Sequence, residues 1–259
     1  MAARVIVAGE TNVGMKRSHN EDGFTMMEEA DDHLYVVADG MGGHASGEVA
    51  SRMALDTLRE FFSATASDPE ATWPYKMDKS RGYEENRLIT SIKLANLRIY
   101  ESAQRDPKLR GMGTTVVGIL VVAEGVLVAH VGDSRAYRLR DGALEQLTED
   151  HSLLNDYIKM KKLTDEEIKN FPHKNVIVRA LGMKESVKVD TMLDPPKPGD
   201  VYILCSDGLS GPVTDPDIRE ITNSTNDLKE ACSRLIEKAN ANGGPDNITV
   251  VCAKVMGTG

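Results

Sequence analysis

Hydrophobic positions follow two rhythms along this chain. Predominantly apolar runs at 34–39, 115–123, 126–131, 201–205 and 248–255 predict strands buried on both faces. Apolar residues three or four apart, at Val49, Met53, Leu55, Leu58, Phe61 and Phe62, predict a helix over 44–62. Leu88, Ile92, Ala95, Leu97 and Ile99 predict a second over 84–104, and two more helices are expected at 215–222 and 226–240. Glu124-Gly125 and Asp141-Gly142 each join two apolar runs as hairpin turns, the second run of the latter pair being 143–147. Consecutive hairpins mean antiparallel pairing, which excludes a doubly wound parallel sheet. Further strands are expected at 176–179 and 187–192.

Polar stretches punctuate this pattern. Residues 67–83, with the only Trp (Trp73) and two prolines, read as a surface excursion. Residues 148–175 are polar and Lys-rich. Asp150-His151-Ser152 can cap one short helix there, and Thr164-Asp165-Glu166-Glu167 is a capping box for another. This stretch reads as a surface flap, about 148–192 at its widest, in which Lys159, Lys161 and Lys162 would tune substrate choice. Strands and helices come in blocks, the α+β pattern, with the whole of 1–259 expected as one domain.

Composition narrows the class. Apolar residues make up 41% and charged residues 27%, ordinary for a globular protein. A net charge of −9 argues against a nucleic-acid surface or a polybasic membrane patch. The N-terminal apolar stretch is too short for a secretory signal, and the longest apolar segment is broken by Glu124-Gly125, so no membrane span is expected. Cys205, Cys232 and Cys252 sit in apolar segments without metal-ligand spacing, which suits free thiols in a reducing cytoplasm. Nothing in the chain indicates an oligomer, so a monomer is expected.

The chemistry lies where the apolar runs meet carboxylates. Asp39, Asp133 and Asp207 follow strands, Asp246 precedes one, and Glu21-Asp22 stands ahead of the 24–27 run. Such placement gathers negative charge at one sheet edge, which is costly unless a cation or protons offset it. An all-oxygen set favours Mg²⁺ or Mn²⁺ over zinc. Two such ions can activate a water between them and offset the charge that makes phosphate monoesters resist attack. Arg17 adds a planar fork for two phosphate oxygens. Gly42-Gly43 lacks the Gly-Lys-Ser/Thr of a nucleotide loop, and no serine sits in a nucleophile elbow. His130, His151 and His173 read as structural or exposed, and Met26, Met27 and Met160 as packing. Taken singly, each Asp-Gly is a turn signal, and Asp141-Gly142 is one here.

Six segments occur in order: Arg17-Ser18-His19-Asn20-Glu21-Asp22, Val37-Ala38-Asp39-Gly40-Met41-Gly42-Gly43-His44, Gly111-Met112-Gly113-Thr114-Thr115, Val131-Gly132-Asp133-Ser134-Arg135, Cys205-Ser206-Asp207-Gly208-Leu209 and Gly244-Pro245-Asp246-Asn247-Ile248-Thr249. Together they resemble the motifs of the metal-dependent protein serine/threonine phosphatases, the protein phosphatase 2C-like family, in its compact bacterial form. The resemblance implies a four-layer α-β-β-α sandwich with two central antiparallel sheets. It implies two Mn²⁺ or Mg²⁺ ions bridged by Asp39, with the Gly40 carbonyl, Asp207 and Asp246 completing their shells. Asp22, Glu21 and Asn247 would act through coordinated waters, Asp22 being nearest, and Asp133 with Asp207 would hold a third, weaker ion. Asp133 could instead simply end its strand. The implied reaction is hydrolysis of phosphoserine and phosphothreonine on proteins by a metal-bridging water, with Arg17 gripping phosphate and opposing a bacterial Ser/Thr kinase. Animal members carry a His after the Asp-Gly, where this chain has Met41. The general acid is then His44 or a metal-bound water, and His44 could equally cap its helix. A catalytically silent metal-binding sensor or scaffold and a small-phosphoester metallohydrolase are the competing readings.

Overall fold

The computed structural model describes residues 3–29, 32–43, 46–67, 72–160, 163–169, 171 and 176–257. The first half runs β1 (Arg4–Asn12), β2 (Asp22–Glu29), β3 (Asp32–Met41), α1 (Ser46–Ser67), α2 (Tyr83–Arg105), β4 (Gly113–Thr114), β5 (Val116–Val122) and β6 (Gly125–Val131). Next come β7 (Arg135–Arg140), β8 (Ala143–Gln146), α3 (Leu153–Met160), α4 (Asp165–Lys169), β9 (Asp190–Asp194) and β10 (Val201–Cys205). The chain closes with α5 (Asp207–Ser210), α6 (Asp215–Asn223), α7 (Leu228–Ala241) and β11 (Ile248–Gly257). One antiparallel sheet has the order β1-β11-β10-β7-β8 and the other β2-β3-β5-β6-β9, with β4 pairing β3 beside it.

The two-residue period of a strand divides each apolar run between two cores. In β3, Tyr35 and Val37 point between the sheets to meet Val117, Ile119, Tyr202, Leu204 and Val251. Leu34, Val36 and Ala38 point the other way, onto Leu58 and Phe62 of α1 and Leu88 and Ile92 of α2. In β10, Ile203 and Cys205 face Cys232, Leu235 and Ile236 of α7. Two sheets between two helix layers is the expected α-β-β-α sandwich, and it needs strands apolar on both faces.

Several local expectations hold. Asp141 (φ 51°) and Gly142 (φ 77°) form the β7–β8 turn with both central residues left-handed. Ser152 caps α3 through Asn155 N–H at 3.3 Å, and the Thr164–Glu167 box closes on α4 in both directions. Trp73 packs edge-on against Phe61 at 5.6 Å, which pins the described part of the excursion, 72–83, to the helix layer; residues 68–71 lie outside the described residues. All three cysteines are free and buried.

Other expectations need correction. Residues 176–179 form no strand; Ile177 makes a single bridge to Ser152, because Arg179 is drawn to Asp190. The strand expected at 187–192 lies at Asp190–Asp194, set by pairing with β6 and stopped by Pro195-Pro196. Val49 is 38% exposed and lies off the apolar face of α1, and Met160, expected as packing, is 82% exposed. Strand β1, an edge strand on β11, has no counterpart among the sequence expectations. Lys161, Lys162 and His173 lie outside the described residues.

Candidate active site

One end of the sandwich collects the carboxylates because of strand direction. Antiparallel pairing brings Asp22 at the start of β2 opposite Asp39 near the end of β3. Strands β6 and β10 run to that end and release Asp133 and Asp207, while β11 starts there just after Asp246 and Asn247. The chain must pack tightly to do this. A Cβ on Gly40 would collide with the carbonyl oxygens of Glu21 and Gly47, and one on Gly208 with that of Asn247.

Uncharged donors and acceptors hold the carboxylates in place. Ser206 Oγ donates to Asp22 Oδ2 at 2.7 Å and accepts from Thr249 N–H at 3.0 Å. Asp39 N–H donates to Thr115 Oγ1 at 3.1 Å, which in turn pairs with Ser134 Oγ at 2.7 Å. The Asp39 carbonyl accepts from Thr115 N–H at 2.8 Å and Thr114 Oγ1 at 2.9 Å. Asn247 works as a clasp: its Oδ1 accepts from Glu21 N–H at 2.8 Å, and its Nδ2 donates to Val13 and His19 carbonyls, each at 2.9 Å. The sequence expectation assigned no role to Ser206, Thr115 or Ser134. Ser134 and Ser206 carried a local signal, a hydroxyl next in sequence to Asp133 and Asp207, while Thr115 carried none, and the backbone clasp made by Asn247 was not among the expectations.

The electrostatics are those of an uncompensated acid cluster. Burial first, then Asp22, Asp207, Asp133 and Asp246, holds the Asp39 carboxyl well above the usual range. Burial pushes Asp22 up to about 7, with Asp207 and Asp246 adding to it against the Ser206 hydrogen bond. Burial and Asp207 raise Asp133 to about 7, and burial and Asp246 raise Asp207. Asp133 Oδ1 is buried with no partner. An oxygen-only set of buried carboxyls that repel one another, with one carboxylate oxygen orphaned, fits hard divalent ions.

Two cations border the cluster. Arg17, half exposed, donates to Asp246 Oδ2 at 2.7 Å, and that bond raises its own pKa. Arg135 grips Asp150 with Nε at 3.0 Å and Nη2 at 2.7 Å. A cavity of about 460 Å³ opens beside them, lined by Asp133, Arg135, Asp150, Asp207, Ser210 and Asp246. A larger one, about 1170 Å³, lies at the far end of the sheets around Asp32, Tyr83 and Arg87. Its buried carboxylate, Asp32, is already bound by Arg87, whereas the smaller cavity is lined by the acids of the cluster. Of the expected site residues, Arg17, Glu21, Asp22, Asp39, Gly40, Asp133, Asp207, Asp246 and Asn247 meet at this end; His44 lies outside the described residues. Lys159 of α3 pairs with Glu149 at 2.9 Å on the surface.

Comparison with known proteins gives a consistent picture. The family described as Protein phosphatase 2C matches residues 14–247. A serine/threonine phosphatase, Stp, of Listeria monocytogenes is 39% identical over 246 residues, covering 93% of this chain and 92% of that one. The crystal structure of serine/threonine phosphatase Stp1 from Staphylococcus aureus superposes with a TM-score of 0.86 at 32% identity, covering 99% of this chain and 97% of that chain. The catalytic domain of serine/threonine protein phosphatase PstP in complex with two manganese ions gives 0.79 at 35% identity, over 99% of this chain and all of that one.

Proposed function

The chain belongs to the protein phosphatase 2C family and is a metal-dependent protein serine/threonine phosphatase; from that premise we propose how its own residues divide the work. The observation that carries the reading is the buried, cation-poor carboxylate cluster at one end of the sheets. Asp39, the Gly40 carbonyl, Asp207 and Asp246 would hold a pair of Mn²⁺ or Mg²⁺ ions, with Asp22 and Glu21 reaching them through water. Asp133, with its orphaned oxygen, would hold a third with Asp207. When bound, such ions lower the pKa of the attacking water and offset charge on the phosphoryl group.

The remaining work belongs to the side chains. Arg17 is held beside the cluster by Asp246 and can turn its fork to two phosphate oxygens of the substrate. Ser206, Thr115 and Asn247 fix Asp22, Asp39 and the Glu21 backbone, so the acids do not rearrange as charge develops. The whole chain serves as one catalytic unit, with the α3–α4 flap beside the cavity selecting substrates. Its three buried free thiols suit a reducing cytoplasm, where phosphoproteins made by a Ser/Thr kinase would be its partners and a monomer its working form. Among the described residues, no helix is long and apolar enough to cross a membrane.

The test is phosphate release from a phosphothreonine peptide after metal stripping and return of Mn²⁺, beside Asp39→Asn. Activity restored by metal in the wild type and absent from the variant is expected. Metal binding without release would favour a silent sensor, and faster release from nucleotides than from phosphopeptides would favour a small-phosphoester hydrolase.

A further inference from the structure

His130, His151 and Asp190 bring ligand-type atoms within 4.8 Å of one another, and the two imidazoles stack at 4.5 Å between centroids. The group resembles a second cation site, but its positive charge is already supplied. Arg179 Nη1 lies 2.9 Å from both His151 Nε2 and Asp190 Oδ2, and Lys188 pairs with Asp190 Oδ1 at 2.9 Å. His130 Nε2 is taken by the Glu149 carbonyl at 2.9 Å.

The orientation of the His151 ring shows what the group does. Its Nδ1 accepts the Gly132 N–H at 3.0 Å, so that nitrogen is unprotonated. The proton therefore sits on Nε2, which donates to Asp190 Oδ2 at 2.9 Å. The His151 N–H also donates to the Gly132 carbonyl at 2.9 Å, so both backbone polar groups of Gly132 end on one residue. Burial and the neighbouring His130 push the imidazole down to about 4, so the Nδ1 lone pair remains available at neutral pH.

Directly after Gly132 in the chain stands Asp133, whose buried Oδ1 has no partner. On its other side His151 holds the segment leading to β9: Val178 N–H donates to the His151 carbonyl at 2.9 Å, and Ser152 bridges to Ile177. That segment then reaches the core of the acid edge. Leu181 and Thr114 exchange hydrogen bonds of 2.9 and 3.2 Å, and Thr114 Oγ1 donates to the Asp39 carbonyl.

We infer that His151 is a positioning residue for Asp133: its ring fixes the Gly132–Asp133 turn against the 176–190 segment and thereby sets the outer cation position of the acid edge. This rests on the reading of Asp133 as a cation ligand. His151 touches no reacting atom; it acts through the Gly132 amide, as an outer partner acts on a ligand it orients.

Two substitutions separate the two ends of the ring. His151→Asn keeps a short acceptor where Nδ1 stands and gives up Asp190. His151→Gln reaches toward Asp190 and gives up the Gly132 amide. Mn²⁺ binding to the full chain is followed by electron paramagnetic resonance, and exchange of the Gly132 amide in the metal-free chain by NMR. His151→Gln is expected to speed Gly132 exchange and to weaken the weakest Mn²⁺ event about tenfold, the lower end for loss of an outer partner. His151→Asn should preserve both, and His151→Gln should add nothing to Asp133→Asn, as for two residues acting as a unit. Equal losses in the Asn and Gln variants, or losses that add to Asp133→Asn, would overturn the inference while leaving Asp133 a ligand. Unchanged Mn²⁺ binding in Asp133→Asn alone would defeat the reading of Asp133 and this inference with it.

Discussion

The two ends of the sandwich treat buried carboxylates in opposite ways. At the end away from the active site every deep carboxylate among the described residues has a guanidinium. Asp32 takes Arg87 at 2.6 and 2.7 Å, Asp194 takes Arg138, and Asp200 takes Arg140 Nε at 2.9 Å. Burial works against the Asp200 carboxyl, yet Arg140 and the Lys197 N–H hold it below the usual range. At the active end Asp22 has the Ser206 hydroxyl, Asp133 has a carboxylate oxygen with no partner, and Asp22, Asp39, Asp133 and Asp207 are all held above it by burial and by one another. The fold places arginines beside buried acids at one end and few at the other, which supports the proposal that cations from outside bind there. Stability is concentrated at one end and given up at the other, as functional sites do.

The largest expected effects set the two ends against each other. Asp39→Asn should lower kcat/KM by about 10³-fold or more, the scale of losing a preorganised electrostatic contact. Removing one partner of a buried ion pair costs about 3–5 kcal/mol, so Arg87→Met should destabilise the chain by that much in a denaturant titration. Its kcat per folded molecule should stay within about twofold, since it lies far from the acids.

The pH dependence of the metal-free chain comes next. Asp22 and Asp133, raised from 3.8 to about 7, keep protons in the folded chain that the unfolded chain releases. Stability should therefore fall as pH rises from about 4 to about 7. His151, lowered from 6.5 to about 4, acts oppositely in that window, but Asp39 and Asp207 add to the carboxylate side. Melting curves at successive pH values should show the fall, and Mn²⁺ should flatten it. Smaller effects are expected from the supporting residues. Ser206→Ala should weaken Mn²⁺ affinity about tenfold by releasing Asp22. Arg17→Lys should cut kcat/KM by about tenfold, mainly through KM, because an ammonium cannot fork.

Much of this was legible in the chain. The strands buried on both faces declared themselves as predominantly apolar runs, and the acid edge as carboxylates placed at strand ends. What escaped had weaker local signals. Strand β1 is an edge strand whose Ala8-Gly9-Glu10-Thr11 stretch has low strand propensity, and its place is fixed by the long ladder to β11. The 176–179 stretch has the residues of a strand but is held by the Arg179–Asp190 pair and the His151 carbonyl instead, contacts no local pattern encodes. Arg17 illustrates the same limit: its type pointed to phosphate, but only the fold shows Asp246 holding it. The separation of paired and unpaired acids was invisible for that reason, because Asp32 and Arg87 lie 55 residues apart.

The central claim is that the acid edge is a cost which bound cations repay. The most direct measurement is thermal unfolding of the wild type and Asp39→Asn, each metal-free and in saturating Mn²⁺ at pH 7. Without metal the variant should be the more stable, since it loses a buried, repelled carboxylate; with Mn²⁺ the order should reverse, because ligands that bind only the folded state stabilise it. A variant less stable than the wild type in both conditions, or a wild type unmoved by Mn²⁺, would contradict the account.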